Sequence, residues 1–364
     1  MVLPRKHAYG AGGAEAALSR FPVEVLNRMS EIDLQLELIQ WVRVTVLVVC
    51  FGGAAWLDYK TRRVSNDWWW GWAKPTLFLL MLELLILEAG WMIWLTASAV
   101  VAFASTALIG IPDLNDIRKG SKIDIFVTFW YFISGVGLVM GAMEYVPELI
   151  DYFDPSVVRD TSSSATKSAL LWGQMILMGV VLLFFEMAWR FRMLHGGADA
   201  KAMMLATLLL PSWNGAAFPL YANETAISTS MPPALSLLIW AGFAFLVLPM
   251  LMLVRNFSSG DFLPLSMSWH ASKMELEDIS KNHVWLLEEV ADKPDGTQGV
   301  IRRMRPIRGS RAETEVEVVI RELAEMGVER AWVTAKHPFL LFVFPAIIPL
   351  ILFGDPIAWV LSFL

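Results

Sequence analysis

The chain reads as an all-α polytopic membrane protein of about eight transmembrane helices, with a small cytoplasmic domain, α/β or α, inserted before the last helix. Three observations predict this. Apolar residues make up 56% of the sequence and charged residues only 18%. Stretches approaching the roughly 20 residues needed to cross a bilayer recur along it. Charge is concentrated in one late segment, residues 255–336, which has few long apolar runs. The net charge of −6 offers no basic face of the kind that nucleic-acid binders carry, so no nucleic-acid partner is expected. A single cysteine, Cys50, leaves no disulfide framework and no thiolate zinc site. No glycine-rich nucleotide motif occurs either, and no cofactor or metal is expected.

The elements follow in order. Residues 1–38 mix Glu24, Arg28, Glu31, Asp33 and Glu37 with Val25, Leu26, Leu34, Leu36 and Leu38, and lack the three-part pattern of a signal peptide. They are expected to form an amphipathic lead-in helix. The first span covers about Ile39 to Leu57, and Lys60, Arg62 and Arg63 behind it mark that end as cytoplasmic and the N-terminus as external. Trp68, Trp69, Trp70 and Trp72 are expected as an anchor at headgroup depth. Pro75 to Ile111 is long enough for two spans turning near Gly90, the first of them carrying Glu83 and Glu88.

Arg118 and Lys119 return the segment from Asp113 to Lys122 to the cytoplasmic side. Ile123 to Met143 crosses outward. Glu148 to Lys167, acid-rich and ending in a Ser/Thr run, is expected as a solvated external loop. Ser168 to Ala188 crosses back and ends at Arg190 and Arg192. A sixth run opens at Asp199 and leaves the membrane near Pro211, short for a full crossing. The following loop to Pro233 has no lysine or arginine and carries an Asn223-Glu224-Thr225 sequon. Leu235 to Val254 is the seventh span, so that residues 39–254 form one transmembrane domain. In the charged segment 255–336, Val316, Val318, Val319 and Ile320 predict a strand, or the start of a helix that continues to Met326 with Gly327 as its cap. Phe339 to Phe353 is the last span, within a C-terminal segment 337–364.

This topology, drawn from lysines and arginines alone, puts two acids at one depth: Asp58 on the last inner turn of the first span and Asp199 on the first inner turn of the sixth. Taken singly, either reads as a helix N-cap or a solvated interface residue. Together they read as a dyad. Two adjacent carboxylates cannot both ionise comfortably, so they hold one shared proton, and such a pair activates water while its protonated member polarises a carbonyl. Gly196 and Gly197 would let backbone approach a substrate strand closely and let Asp199 sit at an exposed helix start. Among the other polar residues, Glu88 and Glu186 lie near span ends, where snorkelling explains them, whereas Glu83 is read as facing the bundle interior, in a substrate or a structural role. His195 either tunes Asp199 or is an interfacial loop residue, the latter being the expectation. Lys201 either folds back on Asp199 or snorkels to headgroups. The arginines from Arg302 to Arg311 form a solvated basic face or meet anionic lipid.

The residues around the two acids resemble an archaeal preflagellin/prepilin peptidase, a type IV prepilin peptidase-like member of the GxGD aspartic membrane proteases. The family's first motif, an Asp followed by basic residues, an aliphatic residue, Pro and Asn, is similar to Asp58, Arg62, Arg63, Val64 and Asn66, with Ser65 in the proline position. The second is similar to Gly196-Gly197-Ala198-Asp199, with Ala198 for the second glycine, followed by Ala200 and Lys201. A third stretch, Ala331 to Phe339, resembles the segment that leads archaeal members into their last span, with Ala335 in place of proline. The chain departs from the smaller members by two extra spans between the acids, an even insertion that preserves sidedness.

The resemblance implies an aspartic endopeptidase of the cell membrane with Asp58 and Asp199 as catalytic residues. Gly196, Gly197, Ala198 and Lys201 would position the loop and the substrate. It implies removal of short basic leaders from pilin-like or archaellin precursors at the cytoplasmic face; Asp67, Asp113, Asp116 and Asp124 read either as solvated loop acids or as a vestibule that would suit a basic leader. Bacterial relatives also methylate the new N-terminus and carry a cysteine-rich loop; with only Cys50, proteolysis alone is expected. The competing readings are a proton-coupled transporter that uses the same acids as a relay, and a catalytically dead assembly scaffold. A presenilin-like protease fits less well, since its Pro-Ala-Leu loop is missing near the last span.

Overall fold

The structure, a computed structural model, describes residues 23–111, 118, 120–154, 163–194, 196–213, 218–221, 231–292, 297–306 and 311–361. His195, Asp113, Asp116, Lys119, Arg308, the sequon at 223–225 and the first 22 residues of the expected lead-in lie outside them. The chain divides into two compact units. One comprises residues 1–57, 63–238 and 347–364; the other comprises 58–62 and 239–346.

Each of the eight apolar runs is helical: α1 (Val23–Thr61), α2 (Asn66–Ile86), α3 (Trp91–Ile109), α4 (Lys122–Phe153), α5 (Ser164–Arg190), α6 (Gly197–Leu209), α7 (Pro233–Ser258) and, beyond the inserted domain, Leu340–Phe353. Among the described residues, five helices are long and apolar enough to cross a membrane: Glu31–Thr61 within α1, then α3, α4, α5 and α7. Leu340–Phe353 is apolar but shorter. The 13 residues of α6 rise about 20 Å against a hydrocarbon core of roughly 30 Å. This is a polytopic helical membrane protein with a small strand-containing domain.

Some boundaries differ from the sequence reading. Helix α1 runs without a break from Val23 through the point where a lead-in was expected to give way to a span, since no glycine or proline interrupts it before Gly52. Helix α4 continues through Pro147 to Phe153, so the first residues of the expected external loop are helical; Leu149, Ile150 and Tyr152 keep apolar character among the acids there. Of the tryptophan cluster only Trp70 is well exposed. Trp69 is buried, and Trp68 lies so close to Gly53 of α1 that a Cβ there would sit 2.5 Å from its ring. The cluster packs α2 into the bundle instead of floating at headgroups.

Within the first unit, α1 buries a stripe at helical spacing, Val44, Leu47, Phe51 and Ala54. Helices α3, α4 and α5 pack mutually. Small residues admit large partners there: Gly141 sits against Trp172, whose indole N–H donates to Thr96 at 2.9 Å, and Ser98 and Ser134 bond at 2.9 Å. Helix α6 packs between α2 and α5 and is buried on every side from Ala202 to Leu209, a stretch apolar but for Thr207. Beyond it, the described residues 210–213 and 218–221 are not helical. Leu220 and Tyr221 donate their amides to Ile351 and Leu352 at 3.0 and 2.9 Å, and Asp355 accepts the Met231 amide at 2.7 Å.

Two intramembrane acids resolve here. Glu83 faces the interior and accepts from Arg43 at 2.8 Å, and Arg43 is fully buried. Glu186, read as a snorkelling residue, is instead buried and accepts from Arg190 at 2.7 Å one turn on, because its face of α5 is turned into the bundle. Glu88 is exposed in the turn that ends α2, at φ +50°.

The second unit holds the inserted domain. Strands β1 (Ser272–Glu275), β2 (Val284–Leu286) and β5 (Arg330–Ala335) form an antiparallel sheet in the order β1-β5-β2, and β3 (Glu288–Asp292) pairs with β4 (Gln298–Arg302). Helix α8 (Val316–Glu325) turns Val319 and Leu323 onto the core with Leu276, Ile279, Leu286, Ala331 and Val333, and Gly327, at φ +77°, follows it. The valine run at 316–320 is therefore helical, since its apolar residues recur at helical spacing and the sheet supplies the other face. The domain is α/β. Strand β5 leads through Lys336, His337, Pro338 and Phe339 into α9 (Leu340–Phe353).

Candidate active site

Asp58 stands on the last turn of α1, where the next residues break the helix. The Arg62 amide still reaches the Asp58 carbonyl at 3.0 Å, but Arg62 itself turns left-handed at φ +57° and ends the run. The backbone N–H of Leu340, the first residue of α9, lies near the Asp58 carboxylate. The opening amides of a helix have no partner within it, and a carboxylate from another segment is a favourable one. Arg62 is near His337 as well, and burial, with that guanidinium, pulls the imidazole pKa below its ordinary value. Lys336 donates its amide to His283 at 3.0 Å and lays its ammonium 5.2 Å from the centre of the Trp285 ring. The first acid motif and the third stretch, remote in sequence, are thus one construction.

Asp199 belongs to the other unit. It is the third residue of α6, and its carboxylate accepts the Gly196 amide at 3.2 Å, while its own amide and that of Ala200 donate to the Gly196 carbonyl at 3.1 and 3.3 Å. This is the returning half of a capping box; glycine has no side chain to make the other half. Gly196 has an ordinary extended backbone, φ −102°. What requires glycine is space, because a Cβ there would lie 2.5 Å from Asp199 Oδ2. At Gly197 a Cβ would meet nothing nearer than Trp189 at 3.6 Å, an ordinary contact. Ala198, between Gly197 and the acid, is half-buried.

Lys201 neither folds back on Asp199 nor reaches outward. Its ammonium donates to Asn66 Oδ1 at 2.7 Å, joining the last residue of the second motif to the last residue of the first. Its stem borders an apolar recess of about 70 Å³, lined by Trp69, Leu77, Leu108, Met204 and Leu208. Of the acids read as a vestibule, Asp67 is exposed and Asp124 half-buried at the start of α4. Arg302 and Arg303 pair with Glu288 and Glu289, and Arg311 with Glu315 and Glu322, so these arginines are neutralised within the domain.

Sequence reasoning missed three participants. Leu340 acts through its backbone, which no side-chain pattern reveals. Asn66 was read as a motif letter without a partner. Arg43 sits inside the first expected span, and a lone guanidinium opposite Glu83 was signal enough to pair them.

Residues 264–356 match the family model Archaeal Peptidase A24 C-terminus Type II. The match takes in the sheet domain, the His337 segment and α9, and supports kinship with the archaeal prepilin and preflagellin peptidases. No curated protein matches the chain.

Proposed function

We propose that the protein is an aspartic endopeptidase that removes short basic leader peptides from archaellin or type IV pilin-like precursors at the cytoplasmic membrane face, with Asp58 and Asp199 as its dyad. The observation that carries this reading is the approach of the Leu340 amide to the Asp58 carboxylate: it ties the first acid motif to a segment that matches a peptidase family. The apolar helices support the setting, since the substrates this family implies are themselves membrane-anchored.

In this reading the dyad holds one proton. The ionised carboxylate takes a proton from water as the water oxygen bonds to the scissile carbonyl carbon, and the protonated partner gives its proton to the carbonyl oxygen. The tetrahedral diol then collapses. The C–N bond breaks, the nitrogen takes the proton just gained by the base, and a diol hydroxyl returns its proton to the other carboxylate. One shared proton remains, as at the start. The Gly196 and Leu340 amides orient the two carboxylates for this exchange.

The test is incubation of the detergent-solubilised protein with a precursor bearing a basic leader ahead of an apolar helix. A single cut before the apolar helix is expected, and Asp58→Asn and Asp199→Asn are each expected to abolish it while leaving the protein folded. Activity retained in either variant removes that residue from the dyad. Binding of the precursor without any cut would favour the scaffold.

A further inference from the structure

We infer that Lys201 and Asn66 are a positioning pair that sets the rotation of α6 about its own axis, and with it the direction in which Asp199 points. The inference rests on the peptidase reading for its kinetic consequence, though not for its structural one. The bond is 2.7 Å long and charge-assisted, the stronger class of hydrogen bond, and it joins residues 135 apart in sequence. Asn66 opens α2, and Lys201 lies in the second turn of α6.

Rotation is the freedom that this helix most needs to lose. From Ala202 to Leu209 it is buried and apolar except for Thr207, whose hydroxyl donates to the Met203 carbonyl of the same helix at 2.9 Å, and such a surface resists sliding out of the bundle but distinguishes poorly between one azimuth and another. Polar contacts in its first two turns have to do so. Gly196 cannot, because its bond to Asp199 is internal to the same helix start and turns with it. Lys201 reaches another helix. At about 100° per residue it projects roughly 200° from Asp199, so a grip on α2 by Lys201 directs Asp199 away from α2. Lys201 has no role at the reacting atoms here; it acts through the acid two residues before it.

The experiment uses the full-length protein in nanodiscs, with Lys201→Met, which keeps the stem and removes the donor, Asn66→Leu, and the two combined. Asn66→Asp, which keeps the acceptor, serves as the conservative variant. On precursor cleavage, each single change is expected to lower kcat by about 10- to 100-fold with KM within about twofold, since small misplacements of a catalytic group cost on this order. The combined variant is expected to be no worse than the poorer single one, as for two ends of one bond. Asn66→Asp is expected to recover most of the loss. Additive losses, a change confined to KM, or undiminished kcat would overturn the inference.

Hydrogen exchange at amides 198–203 gives a second readout that needs no activity. Faster exchange there in Lys201→Met and Asn66→Leu, and protection near the parent level in Asn66→Asp, is expected. Unchanged exchange in both overturns the inference even if the parent protein cuts no precursor, a result that would by itself count only against the peptidase reading.

Discussion

The backbone N–H of Leu340, at the start of α9, lies near the carboxylate of Asp58, on the last turn of α1. The acid proposed for catalysis therefore also has a structural duty, and the two can be separated. Asp58→Asn keeps an acceptor oxygen and is expected to unfold close to the parent while failing to cleave. Asp58→Ala loses both, with a further fall in stability of about 1 kcal/mol, the usual value of an N-terminal cap. Thermal unfolding in detergent beside a cleavage assay checks both.

Gly196 and Gly197 are expected to differ sharply. Gly196→Ala would place a methyl 2.5 Å from Asp199 Oδ2 and force the carboxylate to move. A displacement near 1 Å predicts a loss of cleavage on the order of 100-fold. Gly197→Ala meets only an ordinary contact with Trp189 and is expected to cost far less. Equal losses would mean that the glycines serve the loop and not the acid.

The Arg43–Glu83 pair is a case where breaking is worse than deleting. Arg43 is wholly buried, with Nε and Nη1 lacking partners, so its desolvation is only partly offset by Glu83 and the Leu79 carbonyl. Glu83→Leu alone strands the guanidinium and is expected to cost about 3–5 kcal/mol; Arg43→Met with Glu83→Leu should recover most of it. Thermal melts of the parent, the single variant and the double variant decide this. A double variant as unstable as the single one would count against it.

His337 predicts a pH dependence of stability. Burial and then Arg62 lower its pKa from the ordinary 6.5, so the unfolded chain binds the proton more readily than the folded one. Stability from this group is full above pH 6.5 and declines as the pH falls below that value, until the lower folded-state pKa has been passed. His337→Gln is expected to flatten that decline, and Arg62→Gln to shallow it. Melting temperatures between pH 7.5 and 4.5 measure the effect.

The helices were legible because each is an apolar run closed by charge, glycine or proline, and these are local signals. The turn at Gly90 and the cap at Gly327 could be read in the same way. Less legible was anything that depended on which face of a helix meets a neighbour. Glu186 looked like a span-end acid until α5 turned it inward, and Trp69 looked interfacial until α2 buried it. Of the candidate site, the two acid motifs were visible as letters, but the contacts that organise them were not. Lys201 to Asn66 and Leu340 to Asp58 link residues 135 and 282 positions apart, and neither pairing leaves any periodicity in the chain.

Strand β5 is the middle strand of its sheet, and four residues separate its end from Leu340. A linker so short, stiffened by Pro338 and fastened at Lys336 to His283, has almost no slack. Anything that pulls on the sheet, such as a docked polypeptide, would tug directly on the amide beside Asp58. The inserted domain is in that sense a handle on the first carboxylate.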